Sequence, residues 1–82
     1  MEKRIGTITL LIRDRSQAAI INDTLSSCGE IILSRQGLPF HDRPVAVIVV
    51  IVEGTSDQIN ALTGRLGRIA GVESKAVLTR AQ

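Results

Sequence analysis

Displaced by half of its 82 residues, the chain repeats its own helical pattern. Asp14 and Gln17 fall on Thr55 and Gln58, while Ala18, Ile21, Leu25 and Cys28 fall on Ile59, Leu62, Leu66 and Ile69. Each set spaces apolar side chains along one face of a helix, and each opens on a helix-capping residue type with glutamine three positions later. Gly29 ends the first helix, and the second leads into Gly71. Two copies of such a unit cannot stack into a solenoid, so each helix must hide its stripe on something both halves share.

The segments around the helices read as that shared sheet. Arg4 to Ile12 alternates in part, with Ile8, Leu10 and Ile12 on one face and Thr7 and Thr9 on the other. A short strand is expected from Glu30 to Gln36, then a loop from Gly37 to Pro44 that holds both prolines. Val45 to Glu53 and Val72 to Thr79 supply the remaining strands. A strand-helix-strand unit used twice predicts an α+β protein of ferredoxin-like βαββαβ architecture: a four-stranded antiparallel sheet with two helices on one face, in a single domain over residues 1–82.

Such a sheet leaves its other face bare, and its central strands should alternate apolar with polar residues. The third strand does not, because Val45 to Val52 is apolar throughout. The half-length offset matches Val47, Val49 and Ile51 to Gly6, Ile8 and Leu10 of the helix-facing side. Ile48, Val50 and Val52 are then expected to point outward, with Leu11 beside them. Covering these three would contribute roughly 5 to 9 kcal/mol before association costs, which favours a second copy of the chain, as a dimer or tetramer, over a strand with surplus valines.

Gly64 and Gly67 lie inside the second helix, each at a cost of about 1 kcal/mol relative to alanine. With Asn60 they align at helical spacing on the side away from the apolar stripe. Either a ligand or a second backbone approaches a groove of small residues there, or the helix frays after Thr63. The groove reading makes Asn60, Gly64 and Gly67 one wall of a ligand site between subunits, with the Gly37 to Pro39 turn as the other.

Chemistry for catalysis is sparse. One Cys and one His cannot supply a disulfide framework, a four-cysteine cluster or most zinc sites. Cys28 lies on the core stripe and reads as a small buried hydrophobe. His41, next to Asp42 in the loop, reads as an exposed histidine. Ile12-Arg13-Asp14-Arg15 has no glycine with which to cradle a phosphate, so an acylphosphatase reading fails. These residues point to no enzyme, no catalytic or metal site and no cofactor. An RNA- or DNA-binding module is the alternative use of this architecture, but it needs aromatic side chains on the sheet. The lone Phe40 is in a loop, and a net charge of +2 gives a weak electrostatic footprint. Gly64-Arg65-Leu66-Gly67 matches the KH-domain GxxG in letters only, since a strand and not a helix follows. No run approaches the roughly 20 apolar residues of a membrane span, and no signal-peptide core follows Met1 to Arg4, so a soluble cytoplasmic protein is expected.

Three segments, Arg35-Gln36-Gly37-Leu38-Pro39, Ala61-Leu62-Thr63-Gly64-Arg65-Leu66-Gly67 and Gly71-Val72-Glu73-Ser74-Lys75, resemble a family of small regulators associated with iron-only hydrogenase systems. The resemblance covers nearly the whole chain. It implies an ACT-like domain, similar also to the C-terminal sensing domain of nickel-responsive repressors, that works by oligomerisation and response to a small-molecule effector. The family's regulatory role comes from its association with hydrogenase genes. The His and Cys set that binds nickel in the repressors is missing, because Cys28 and His41 stand alone, so nickel sensing does not carry over. With no DNA-reading segment before the first strand, transcriptional control would be expected to run through a separate DNA-binding protein or an indirect route.

Overall fold

The computed structural model describes residues 2–80. The chain runs β1 (Arg4–Ile12), α1 (Ala18–Ser27), β2 (Ile32–Pro39), β3 (Ala46–Gly54), α2 (Ser56–Gly67) and β4 (Val72–Leu78). The strands form one antiparallel sheet in the order β2-β3-β1-β4, which makes β3 and β1 central and β2 and β4 the edges. Both helices cover the same face, α1 over the β2 and β3 side and α2 against β4 and β1. This is the ferredoxin-like arrangement expected from the repeat.

The helix stripes behave as their spacing requires. Ile21 and Leu25 of α1 and Ile59, Leu62 and Leu66 of α2 are buried. The two helix starts differ, however. At α2 the capping box closes: the Gln58 amide donates to Thr55 Oγ1 at 3.1 Å, and the Thr55 amide donates to Gln58 Oε1 at 2.9 Å. At α1, Asp14 instead caps a 3₁₀ turn, Arg15–Gln17, that precedes the α-helix. Its carboxylate accepts from the Ser16 amide at 3.0 Å and from the Ser16 hydroxyl at 2.6 Å. Those two bonds, the hydroxyl first, hold the Asp14 carboxyl below its ordinary pKa.

The sheet faces overturn one expectation. Val50 and Val52 are 0% exposed and form the core with Ile8 and Leu10, while Ile48 packs against it from the same face. Ile48, Val50 and Val52 therefore point toward the helices, not away from them. Register shows why: Leu10 pairs with Ile48, Ile8 with Val50 and Gly6 with Val52. The helices repeat at half the chain length but the strands do not. Two steps separate the last core residue of β1, Ile12, from its cap Asp14, whereas three separate Val52 from Thr55. With alternating side chains, that one extra residue exchanges the faces of the whole strand. Leu11 does point to the open face, as expected, opposite Val47.

β2 also differs from expectation. A 3₁₀ turn, Gly29–Ile31, precedes it, and the strand runs through Gly37 and Leu38 to Pro39. Proline fits because it ends an edge strand, where its missing amide breaks no central ladder. The loop is accordingly short. Within it the Phe40 amide donates to the Val45 carbonyl at 3.0 Å, and the Arg43 guanidinium lies 4.5 Å from the centre of the Phe40 ring.

Candidate functional site

The open face of the sheet follows from strand pairing. Three rows of side chains cross it: Leu38, Val47, Leu11 and Glu73; Gln36, Val49, Thr9 and Lys75; Ser34, Ile51, Thr7 and Val77. A column of aliphatic side chains on β3 runs through all three, widened by Leu38 and Leu11 at one end and by Val77 and Ile5 at the other. Ile51 is 41% exposed, Leu38 56% and Val77 65%. Val47 and Val49 are half-buried by their neighbours in the sheet. Along β2 and β3 this surface is a shallow trough of about 390 Å³, lined by Ser34, Gln36, Leu38, Val47, Val49 and Ile51. No aromatic ring stands on it, since Phe40 is in the loop under Arg43.

The helix face opens in a second place. Between α1 and the β2–β3 hairpin lies a cleft of about 250 Å³ whose floor is Ile12, Ile21, Ala46 and Ile48. Arg15 and Arg35 stand on its rim with Asn22, Ala18 and Pro39. Arg35 pairs with Val50 in the sheet and so reaches over the helix face, where its Nη2 donates to Asn22 Oδ1 at 2.9 Å. Arg15 Nη2 donates to the carbonyls of Phe40 at 2.7 Å and Val45 at 3.0 Å, tying the turn before α1 to the hairpin loop. Neither arginine was a candidate on sequence grounds. The cleft joins residues from three separated stretches of the chain, 12–22, 35–39 and 46–48, which no local spacing can signal.

The other sequence candidates are dispersed. Asn60, Gly64 and Gly67 lie on the exposed flank of α2, a helix that continues past Gly64 and does not fray at Thr63. A Cβ built at Gly67 would touch Ser74 of β4 at 3.7 Å, and one at Gly64 would meet only the Arg68 guanidinium, at 3.9 Å. Gly37 and Pro39 are at the opposite edge of the sheet. A site walled by both sets requires two subunits. Since Gly64 has room for a methyl group, Gly64→Ala should stabilise the fold by up to about 1 kcal/mol. A raised midpoint in urea denaturation at unchanged slope checks this, and a lowered midpoint would show that the flank needs glycine.

Cys28 is half-buried at the edge of the core, with its Sγ 3.5 Å from Arg65 Nη1. His41 is exposed, and Asp42 pairs with Arg43 at 3.4 Å. Among the described residues no group of three or more His, Cys, Asp or Glu side chains could hold a metal ion. Nor, among them, is any helix long and apolar enough to cross a membrane.

The fold and its two surfaces define a small ferredoxin-like α+β protein with an aliphatic open sheet and a basic-rimmed cleft. Residues 4–76 match the family model "TM1266-like: Iron-only hydrogenase system regulator, putative", and the chain belongs to that family. It is similar to the structure of uncharacterized protein TM1266 from Thermotoga maritima, with 36% identity and a TM-score of 0.89 over 96% of this chain and 100% of that one. Two more distant likenesses show the fold alone. The C-terminal domain of the MgtC protein from Mycobacterium tuberculosis is 11% identical, with a TM-score of 0.73 over 96% of this chain and 92% of that one. CPII, a nitrogen regulatory PII-like protein from Thiomonas intermedia bound to ADP, AMP and bicarbonate, is 10% identical, with a TM-score of 0.53 over 98% and 100%. No curated protein matches the chain.

Proposed function

We propose that this chain is a non-catalytic regulatory protein of an iron-only hydrogenase system, acting as a homo-oligomer joined through the open face of its sheet. The observation that carries the reading is the column Val47, Val49 and Ile51 on a face that a solitary protein would present as polar. A second copy is the cover that fits. The rim bears both signs of charge, Glu53 and Glu73 with Lys75, so two copies of the face can meet without like charges alone opposing one another. A nucleic acid would instead need a basic groove and stacking rings, and this face has neither.

Family membership supports the regulatory role. Sedimentation equilibrium should return a dimer or tetramer, and a monomer throughout the micromolar range would overturn the assembly. Cells deleted for the gene should show altered hydrogenase output, and unchanged output would overturn the regulatory role. Micromolar, salt-sensitive binding to mixed oligonucleotides would favour the nucleic-acid module instead.

A further inference from the structure

We propose that the cleft between α1 and the β2–β3 hairpin is an effector site for a small aliphatic carboxylate. Its floor is apolar, formed by Ile12, Ile21, Ala46 and Ile48, and its rim carries two guanidinium groups, Arg15 and Arg35. No acidic side chain lines it. Among the described residues the ion pairs are Arg13 with Glu73 and Arg43 with Asp42, so neither rim arginine has a carboxylate partner. The hydrogen bonds of Arg15 and Arg35 all leave from Nη2, toward uncharged oxygens, which keeps Nε–H and Nη1–H of each for separate further acceptors.

Arg35 Nη2 spends one of its two hydrogens on Asn22, so its second, beside Nε–H or Nη1–H, makes a planar fork that matches the two oxygens of a carboxylate; Arg15 adds a single charge-assisted donor, and the apolar floor matches a short hydrocarbon body. The same lining excludes amino acids as the preferred class. Their ammonium group would find no carboxylate in the lining to neutralise it and would lie beside two guanidinium groups of the same charge. A volume of about 250 Å³ suits a small molecule, being below the roughly 300 Å³ at which drug-sized sites begin.

The location suggests how occupancy is read. Arg15 holds the carbonyls of the hairpin loop and Arg35 holds α1, so a carboxylate drawing on both guanidiniums tightens the hairpin against the helix. Strand β3 of that hairpin carries Val47 and Val49 on its other side, in the face proposed for assembly. The physiological meaning of the site rests on the regulatory reading, but its binding does not, because the whole cleft lies in one subunit.

The test is a methyl and amide NMR titration of the full chain with 4-methylpentanoate. Saturable shifts are expected at Ile12, Ile21 and Ile48. Arg35→Gln on the exposed edge strand, or replacement of the probe by 4-methylpentanamide, should weaken binding roughly tenfold or more, as expected for loss of a charge-assisted pair. Ala18→Leu, which fills the cleft and keeps both charges, should abolish the shifts. A Val49→Asp variant should still bind saturably, because the whole cleft lies in one subunit, which separates failure of the cleft from failure of the assembly. Absence of saturation, equal affinity for L-leucine, or binding of inorganic phosphate as strong as that of the carboxylate and insensitive to Ala18→Leu would each overturn the proposal.

Discussion

Val50→Asp is expected to leave the chain unfolded, whereas Val49→Asp, one residue away, should leave it folded but unable to associate. Val50 is 0% exposed, set in the middle of the sheet between Ile8 of β1 and Arg35 of β2 and covered by the helices. A carboxylate there has no partner among the buried residues, which are all apolar. Burying such a group unpaired costs several kcal/mol or forces its protonation. That is comparable with the whole stability of a small domain, about 5 to 15 kcal/mol. Val49 faces the other way, between Gln36 and Thr9, where a carboxylate stays hydrated in the free subunit. Buried against a second copy, it would meet the same desolvation cost as Val50→Asp meets in the core. Circular dichroism and sedimentation velocity on both variants decide the matter. A native spectrum for Val50→Asp would contradict the assigned faces, and an unchanged oligomer for Val49→Asp would move the interface to another surface.

Gly71→Ala should lower stability by roughly 2 to 4 kcal/mol, through backbone strain and loss of a helix cap together. Gly71 has φ of 76°, in the left-handed region, which costs a residue with a Cβ about 1 to 2 kcal/mol. The added carbon would also lie 2.8 Å from the Asp14 Cβ and 3.3 Å from the Asp14 amide nitrogen. Displacing Asp14 weakens its bonds to Ser16, and the Gly71 carbonyl is itself held by the Arg13 amide at 2.7 Å. The turn into β4 is thereby packed on the cap of the 3₁₀ turn that leads into α1, so one methyl group strains both halves of the fold. For a chain of this size the expected fall in Tm is on the order of 10 to 30 °C. Gly29→Ala is the control, since a Cβ there meets nothing within 4 Å and its effect should stay within about 1 kcal/mol. Equal thermal shifts for the two variants would refute the account.

The helices were legible in the sequence because helical burial depends on spacing within one segment. Ile21 and Leu25, and Ile59, Leu62 and Leu66, carry their own address, and so does the Thr55 and Gln58 cap. The repeat of such segments with strands between them was sufficient for the architecture, and three motifs were sufficient for the family. Asp14 and Gln17 have the same spacing as Thr55 and Gln58, yet Asp14 bonds to Ser16, because a 3₁₀ turn stands before α1. Pattern alone could not separate those two geometries, which differ by a single backbone turn.

What tertiary structure decided is which side of a uniformly apolar strand is inside. Along Val45 to Val52 every residue is apolar, so alternation carries no signal, and the faces depend on pairing with β1 and on the number of residues between Val52 and Thr55. The column on the open face is therefore Val47, Val49 and Ile51 in place of Ile48, Val50 and Val52. The cleft has the same origin. Arg15, Asn22, Arg35 and Ile48 are unremarkable where they stand in the chain and meet only when α1 lies across the hairpin. Sequence by itself determined the elements, because their hydrophobic periods are local. Faces and sites were left to the folded state, because strand register and helix placement are set by contacts between residues distant in the chain.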